Sequence, residues 1–394
     1  MVSKSKIKFT EAEKKLLVKI EKLCLKTIEK NFSGGAFLAG PKVHYDWWSS
    51  DNLLTSLAIY RLGFQNKVKS VFDFFLNYQD RRGLIPLRVE TSSHTLRALK
   101  IIKKHREIKP IYISSQPFFP KSPVANNALL VIIGGMIARQ EKPKWLKERF
   151  GRIEKVAGFL EKNTKKGLLV SGRIADWDDN ITLKAGFTLY ANVLYTQSVL
   201  EMSQFYLSLG KPIKAKKLKN QAEETKSLIQ KQFWNGQYFS DWINPRGKHF
   251  SHFDTLGNIL AILFNTASPK QARQIEKFVI KNKVDQPPAK QKFPSLPFPH
   301  NLVNKLIGFI YQTHYSWPWL GAFDIAAKAK SGFLKETKIE ILALAKVFDQ
   351  WGPIEIIKPE IKPIKGLFYE SEKNFTLATG TFLYALDEVR KMTK

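Results

Sequence analysis

With one cysteine in 394 residues, Cys24, the chain can form no intrachain disulfide. That cysteine stands among apolar neighbours in EKLCLKTIE, which is the setting of a buried thiol and not of a nucleophile. The N-terminal MVSKSKIKFTEAEKK lacks the apolar stretch of a secretory signal, and the most apolar run, ALLVIIGGMIA, is too short to cross a bilayer. A reducing, cytoplasmic setting without membrane insertion is therefore expected. Acidic residues are scarce too: 34 Asp and Glu stand against 64 Lys and Arg, a net charge of +30. Such an excess recruits phosphates where it is clustered. Here the lysines of KKLLVKIEKLCLK and KAKKLKNQAEETK are spread over polar helix faces without interleaved aromatics, so solvated surface is the expectation and nucleic acid is not an expected partner. Zinc-finger, phosphate-loop and EF-hand spacings are all missing, and neither a metal nor another cofactor is expected.

Strand-like alternation is also scarce, and no linker rich in Pro, Gly or Ser divides the chain. Apolar positions instead recur at spacings of three and four over 10–31, 51–62, 65–79, 93–105, 124–140, 143–163, 186–209, 211–233, 253–265, 268–282, 316–331, 333–350 and 374–392. The one loose stretch, the proline-rich 283–301, reads as a surface loop, because proline fixes φ and removes a donor. Paired helices without a detectable sequence repeat predict an all-α fold, an (α/α)6 barrel or toroid of about twelve helices. It would be a single domain over 1–394, with 1–39 as the first outer helix and N-terminal extension.

What the loops contain is unusual. HYDWWSSD (44–51), GRIADWDDN (172–180), FWNGQYFSDW (233–242), HFSHFDTLGN (249–258), YQTHYSWPW (311–319) and LFYESEKNF (367–375) are rich in aromatics, carboxylates and histidine, once per helix pair. If alternate connections open on one end of a barrel, these loops converge. Aromatic faces stack on the C–H faces of pyranose rings while Asp, Asn and His bond hydroxyls, so the mixture suits a small saccharide or oligosaccharide. Breaking a glycosidic bond requires one carboxylic acid and one carboxylate. The crowding of Asp176, Asp178 and Asp179 around Trp177 favours keeping one acid protonated, since like charge and desolvation both raise its pKa. Helix capping explains the same residues equally well. Asn192 and Asn258 fit either a satisfied core amide or a ligand.

GLLVSGRIADWDDN followed by ANVLYTQSVLEMSQFYLSLG resembles the (α/α)6-barrel glycosidases: neutral/alkaline invertases, the amylo-1,6-glucosidase part of glycogen debranching enzymes and, more distantly, trehalases. WWSSDNLLTSLAIYRLG, HFDTLGNILAIL, HYSWPWLGAFDIAA and FTLATGTFLYAL resemble further segments of that family in the same order, over about residues 40–390. The resemblance implies an exo-acting, inverting glycosidase for an α-glucosidic or related bond. It makes Asp179, the second aspartate of D-W-x-D, the general acid, with Asp176 as alternate. The general base is Glu355, with Glu372 as alternate. Asp51 would bind sugar hydroxyls, Trp47, Trp48, Trp177, Trp317 and Trp319 would line the pocket, and His314 and Tyr315 would add hydrogen bonds. Where the family has Arg-Asp this chain has Ser50-Asp51, which leaves the sugar open. Two rival readings remain: a lyase or epimerase with His44, His314 or Tyr315 as base, and a non-catalytic glycan-binding protein. Oligomeric state is not encoded in any motif.

Overall fold

The computed structural model describes residues 6–42, 45–92, 104–113, 124–172, 177, 184–286, 290, 292–296, 315–365 and 370–393. Among these, twelve helices alternate between two rings. The inner ring is α2 (Ser49–Ile59), α4 (Val124–Ala138), α6 (Leu189–Ser208), α8 (Thr255–Leu263), α10 (Pro318–Ser331) and α12 (Thr376–Lys391). Each packs on the next, and α12 packs back on α2, so the ring closes. The outer ring is α1 (Glu11–Asn31), α3 (Gln65–Asn77), α5 (Pro143–Lys162), α7 (Pro212–Phe233), α9 (Pro269–Asn282) and α11 (Leu334–Trp351). This is the (α/α)6 barrel. The division follows from patterning: α4, VANNALLVIIGGMIA, is apolar nearly all round and is covered on both sides, whereas α7 carries its lysines on the solvent face.

Sequence boundaries are recovered because the signals are local. Thr10 and Glu13 form a capping box at α1, Ser268 and Gln271 another at α9, and Pro143, Pro212 and Pro269 begin their helices where a missing N–H costs nothing. One expectation fails at its end. Most of 93–105 lies outside the described residues, but Lys104 and His105 belong to a strand, β3 (Lys104–Ile111), paired antiparallel with β2 (Arg88–Ser92), which pairs in turn with β1 (Trp47–Trp48). Likewise Phe253 and Asp254, the first two residues of the expected helix 253–265, end strand β5 (His249–Asp254), which lies between β4 (Ser240–Ile243) and β6 (Lys292–Phe293), the last within the predicted proline-rich loop.

A repeated device joins the rings. Near the start of an inner helix an asparagine clamps the preceding turn with both ends of its amide. Asn52 accepts from the Phe37 N–H at 2.7 Å and donates to the Phe37 carbonyl at 2.8 Å, and Asn192 does the same with Leu169 at 2.7 and 3.1 Å. Asn258 clamps Phe239 at 2.9 Å on both sides, and Asn127 bonds Ile85 N–H and Gly83 C=O. Asn192 and Asn258 are thus core amides. Asn192→Ala strips partners from buried backbone groups and is expected to cost about 2–4 kcal/mol, read as a lowered urea midpoint.

Between α9, α10 and α11 lies a buried charge cluster. The Lys328 ammonium contacts Asp324, Asp285 at 3.0 Å, Glu340 at 3.2 Å and Glu276 at 3.5 Å. Oxygens of Asp285, Asp324 and Glu340 lie within 4.8 Å of one another, and the lysine supplies the cation they surround. Burial pushes Glu276, Asp324 and Glu340 up. Burial alone would lower Lys328, but Asp324 and the other carboxylates hold it well above its usual range. Acids whose folded pKa is raised contribute stability that is complete below the ordinary carboxylate range, about pH 4, and is lost as pH rises through the folded values. Glu276→Gln is therefore expected to flatten the fall of melting temperature between pH 5 and pH 9, and a slope equal to the parent's would refute the assignment.

Candidate active site

The N-terminal ends of the inner helices open on one mouth, and the segments that precede them carry nearly all the residues singled out from sequence. Their aligned dipoles place partial positive charge there, which favours ionised carboxylates. Toward the opposite mouth a cavity of ≈ 260 Å³ is lined by residues of the inner helices and of the turns that follow them, among them Arg61, Arg139, Glu201 and Tyr384, and holds no sequence-predicted site residue.

Trp177 is the described member of the acidic loop, since Asp176 and Asp179 lie outside the described residues, as do His44 and His314. Its indole stands edge-on to Trp317 at 5.4 Å and to Trp319 at 4.8 Å, and those two are 6.3 Å apart. Trp177 therefore meets the start of α10. Ser316, beside Trp317, exchanges backbone hydrogen bonds with Ile357 at 3.0 and 2.9 Å, which brings the segment of Glu355 alongside the same tryptophans.

Glu355 and Glu372, competitors in sequence, are neighbours here. Ile354 bridges Lys373 in antiparallel sense, Glu355 N–H donates to the Glu372 carbonyl at 3.0 Å, and Glu372 N–H donates to Glu355 Oε2 at 3.3 Å. Both are 2% exposed. Directly opposed residues send their side chains to the same face. Glu372 also leans on the N-terminal loop: a Cβ on Gly40 would lie 2.2 Å from its Cγ.

Trp47 and Trp48 part company because adjacent strand residues face opposite ways. Trp47 turns outward, donating to the Ser33 carbonyl at 2.9 Å and packing on Gly34 and Phe74, and so is not brought to the tryptophan group. Trp48 lies under the guanidinium of Arg88, 4.8 Å from its ring. Asp51, half-buried in the first turn of α2, accepts from Ser50 Oγ at 3.2 Å. Tyr315 is half-buried, and burial, with a smaller push from Glu360, raises its phenol.

Two ion pairs escaped sequence reasoning. Arg88 bonds Glu90 at 2.6 Å, both nearly buried, and Lys184 meets Asp241 at 2.8 Å with both fully buried. Lys184 follows the acidic loop directly, and Asp241 lies in the aromatic segment 233–242. Only the period of two in Leu87-Arg88-Val89-Glu90 could have signalled the first pair.

Comparison with solved structures bears on this arrangement. The GH63 mannosylglycerate hydrolase from Thermus thermophilus, in complex with Tris, superposes with a TM-score of 0.65 over 93% of this chain and 99% of its own, at 10% identity. A rhamnosidase from Klebsiella oxytoca with rhamnose bound gives 0.66 over 94% of this chain and 63% of its own, at 15% identity. A glycosidase in complex with glucose gives 0.65 over 97% and 99%, at 13% identity. The fold is that of the (α/α)6-barrel glycosidases. No protein-family model and no curated protein matches the sequence. The six-hairpin likeness is thus one of backbone, spanning nearly the whole of this chain. No helix among the described residues is long and apolar enough to cross a membrane.

Proposed function

We propose that the protein is a glycoside hydrolase that removes a terminal sugar from a small saccharide, with inversion, using Asp179 as general acid and Glu355 as general base. The observation that carries this reading is the meeting of Trp177, two positions before Asp179 in sequence, with Trp317 and Trp319, whose neighbour Ser316 is bonded to Ile357, two residues after Glu355. Two segments far apart in the chain converge on one aromatic-walled mouth, as acid and base must. Glu355 is buried there, and its Oε2 accepts a hydrogen bond from the Glu372 N–H. Fold-level likeness to three sugar-cleaving or sugar-binding proteins raises the prior for this chemistry but does not choose the sugar.

An α-glucosidic or related bond is the substrate class in this reading, the pocket selecting by stacking and hydroxyl contacts from Trp48, Asp51, Tyr315, Trp317 and Trp319. The test is incubation with sucrose, trehalose, maltose, isomaltose, a rhamnoside, and mannosyl- and glucosyl-glycerate, with free sugar and its first-formed anomer followed by proton NMR. Release of the inverted anomer from one of these is expected. An unsaturated product would support a lyase, and binding without turnover a glycan-binding protein.

A further inference from the structure

We propose that the axial cavity toward the opposite mouth is a second, non-catalytic binding site, and that its ligand is a neutral polyhydroxy compound the size of one sugar ring. The inference stands apart from the roles given to Asp179 and Glu355.

The cavity lies on the axis of the fold, because each of the six inner helices, or the turn that follows it, contributes to its wall. Its ≈ 260 Å³ falls just below the range of about 300–1,000 Å³ that takes drug-sized molecules, which leaves room for a single ring. Phe323, in its wall, follows Trp319 on α10 by four positions, about 6 Å of helix rise. The cavity and the tryptophan group therefore occupy different levels of one barrel.

Charge decides the class of ligand. Glu201 is buried and accepts from Arg139 at 2.5 Å and from Gln197 at 2.9 Å, while Asp387 and Glu388 share Lys391 at 2.8 and 2.6 Å. The Arg139–Glu201 pair is built into the helices: a Cβ on Gly135, one turn before Arg139, would lie 2.1 Å from Glu201 Oε2. Arg61, Arg139 and Lys391 thus balance Glu201, Asp387 and Glu388 in formal charge. An ammonium ligand would meet two guanidiniums and no acid to spare. A carboxylate or phosphate would meet the C-terminal ends of the inner helices, whose dipoles are partially negative.

What remains over is hydrogen-bonding capacity. Neither the Arg61 guanidinium nor the Tyr384 hydroxyl has a hydrogen-bond or ion-pair partner among the described residues. Burial pushes the Tyr384 phenol up, so it stands as an O–H donor at neutral pH. The wall carboxylates keep lone pairs beyond those their cations use. Hydroxyls, which donate and accept at once, match both sets. Phe264 and Phe323 add aromatic surface for the C–H face of a ring, the latter held edge-on to Tyr384 at 5.9 Å.

The test is NMR of protein labelled with carbon-13 at the methionine methyls, because Met136 lies in the cavity wall and Met202 does not. Glucose, mannose and rhamnose are titrated in turn, with hexanoate and hexylammonium as charged probes. At least one sugar is expected to move the Met136 methyl saturably, at a dissociation constant of about 1–10 mM, and to leave Met202 in place. Arg61→Gln removes an exposed charge and Tyr384→Phe keeps its ring, so both variants are expected to fold, and each to weaken the titration about fivefold. Three results would overturn the proposal: no sugar moves Met136; a charged probe moves it at lower concentration than any sugar; or both variants titrate as the parent does. The last would mean that the shift is transmitted from the catalytic mouth. An inactive enzyme that gives the expected titration leaves this site standing while the hydrolase reading falls.

Discussion

Glu355→Gln is expected to lower kcat by about 10²–10⁴-fold with KM little changed, because the substitution removes a proton acceptor used only in the transition state while keeping the shape of the side chain. A thousandfold loss corresponds to about 4 kcal/mol of transition-state stabilisation. The structure makes this a clean test. The Glu355 backbone is fixed by its N–H bond to the Glu372 carbonyl and by the neighbouring Ser316–Ile357 pair, and the side-chain oxygen of a glutamine can still accept from the Glu372 N–H as the carboxylate does. A folded variant is therefore expected, with a melting temperature close to the parent's, and lost turnover cannot be assigned to unfolding. Turnover within a few-fold of the parent's would remove Glu355 from the mechanism and leave Glu372 as the candidate base.

The contrast with Glu372 shows where reading a sequence stops. Nothing in QWGPIEIIKPE and YESEKNF decides between the two glutamates, because their relation is a strand register, Ile354 against Lys373, and register across a loop is not written in local pattern. Once the bridge forms, they are two parts of one unit. Trp47 and Trp48 teach the same lesson. As loop residues they were equivalent, and as strand residues one must face the outer layer and the other the mouth.

The helices, by contrast, were legible because periodicity, capping boxes and initiating prolines act within a turn or two of chain. Ring closure was not legible in any one segment. It follows from α4 and α6 being apolar on both faces, which only an inner position satisfies. The Lys328 cluster was invisible for the converse reason: Glu276, Asp285, Asp324 and Glu340 each read as surface acids on amphipathic helices or loops, and only the packing of α10 between its neighbours buries them around one ammonium. The basic excess that first pointed to polyanions is carried largely by outer-ring faces such as that of α7, as solvated surface.

Asp179→Asn is expected to cost as much as Glu355→Gln on a natural sugar, about 10²–10⁴-fold in kcat, but with a different dependence on the leaving group. An acid is needed only in proportion to how badly the departing oxygen requires a proton. On the glycosyl fluoride of the sugar identified as substrate, where departure needs far less protonation, Asp179→Asn is expected to recover most of the parent's rate. Glu355→Gln is not, because water must still be activated. The pair of variants therefore separates the two roles by chemistry without requiring the distance between the carboxyls. Should the recovery fall on Glu355→Gln instead, acid and base are exchanged. Should it fall on neither, and Asp176→Asn show it, the acid is the first aspartate of the D-W-x-D segment and the second is left to cap the helix that follows.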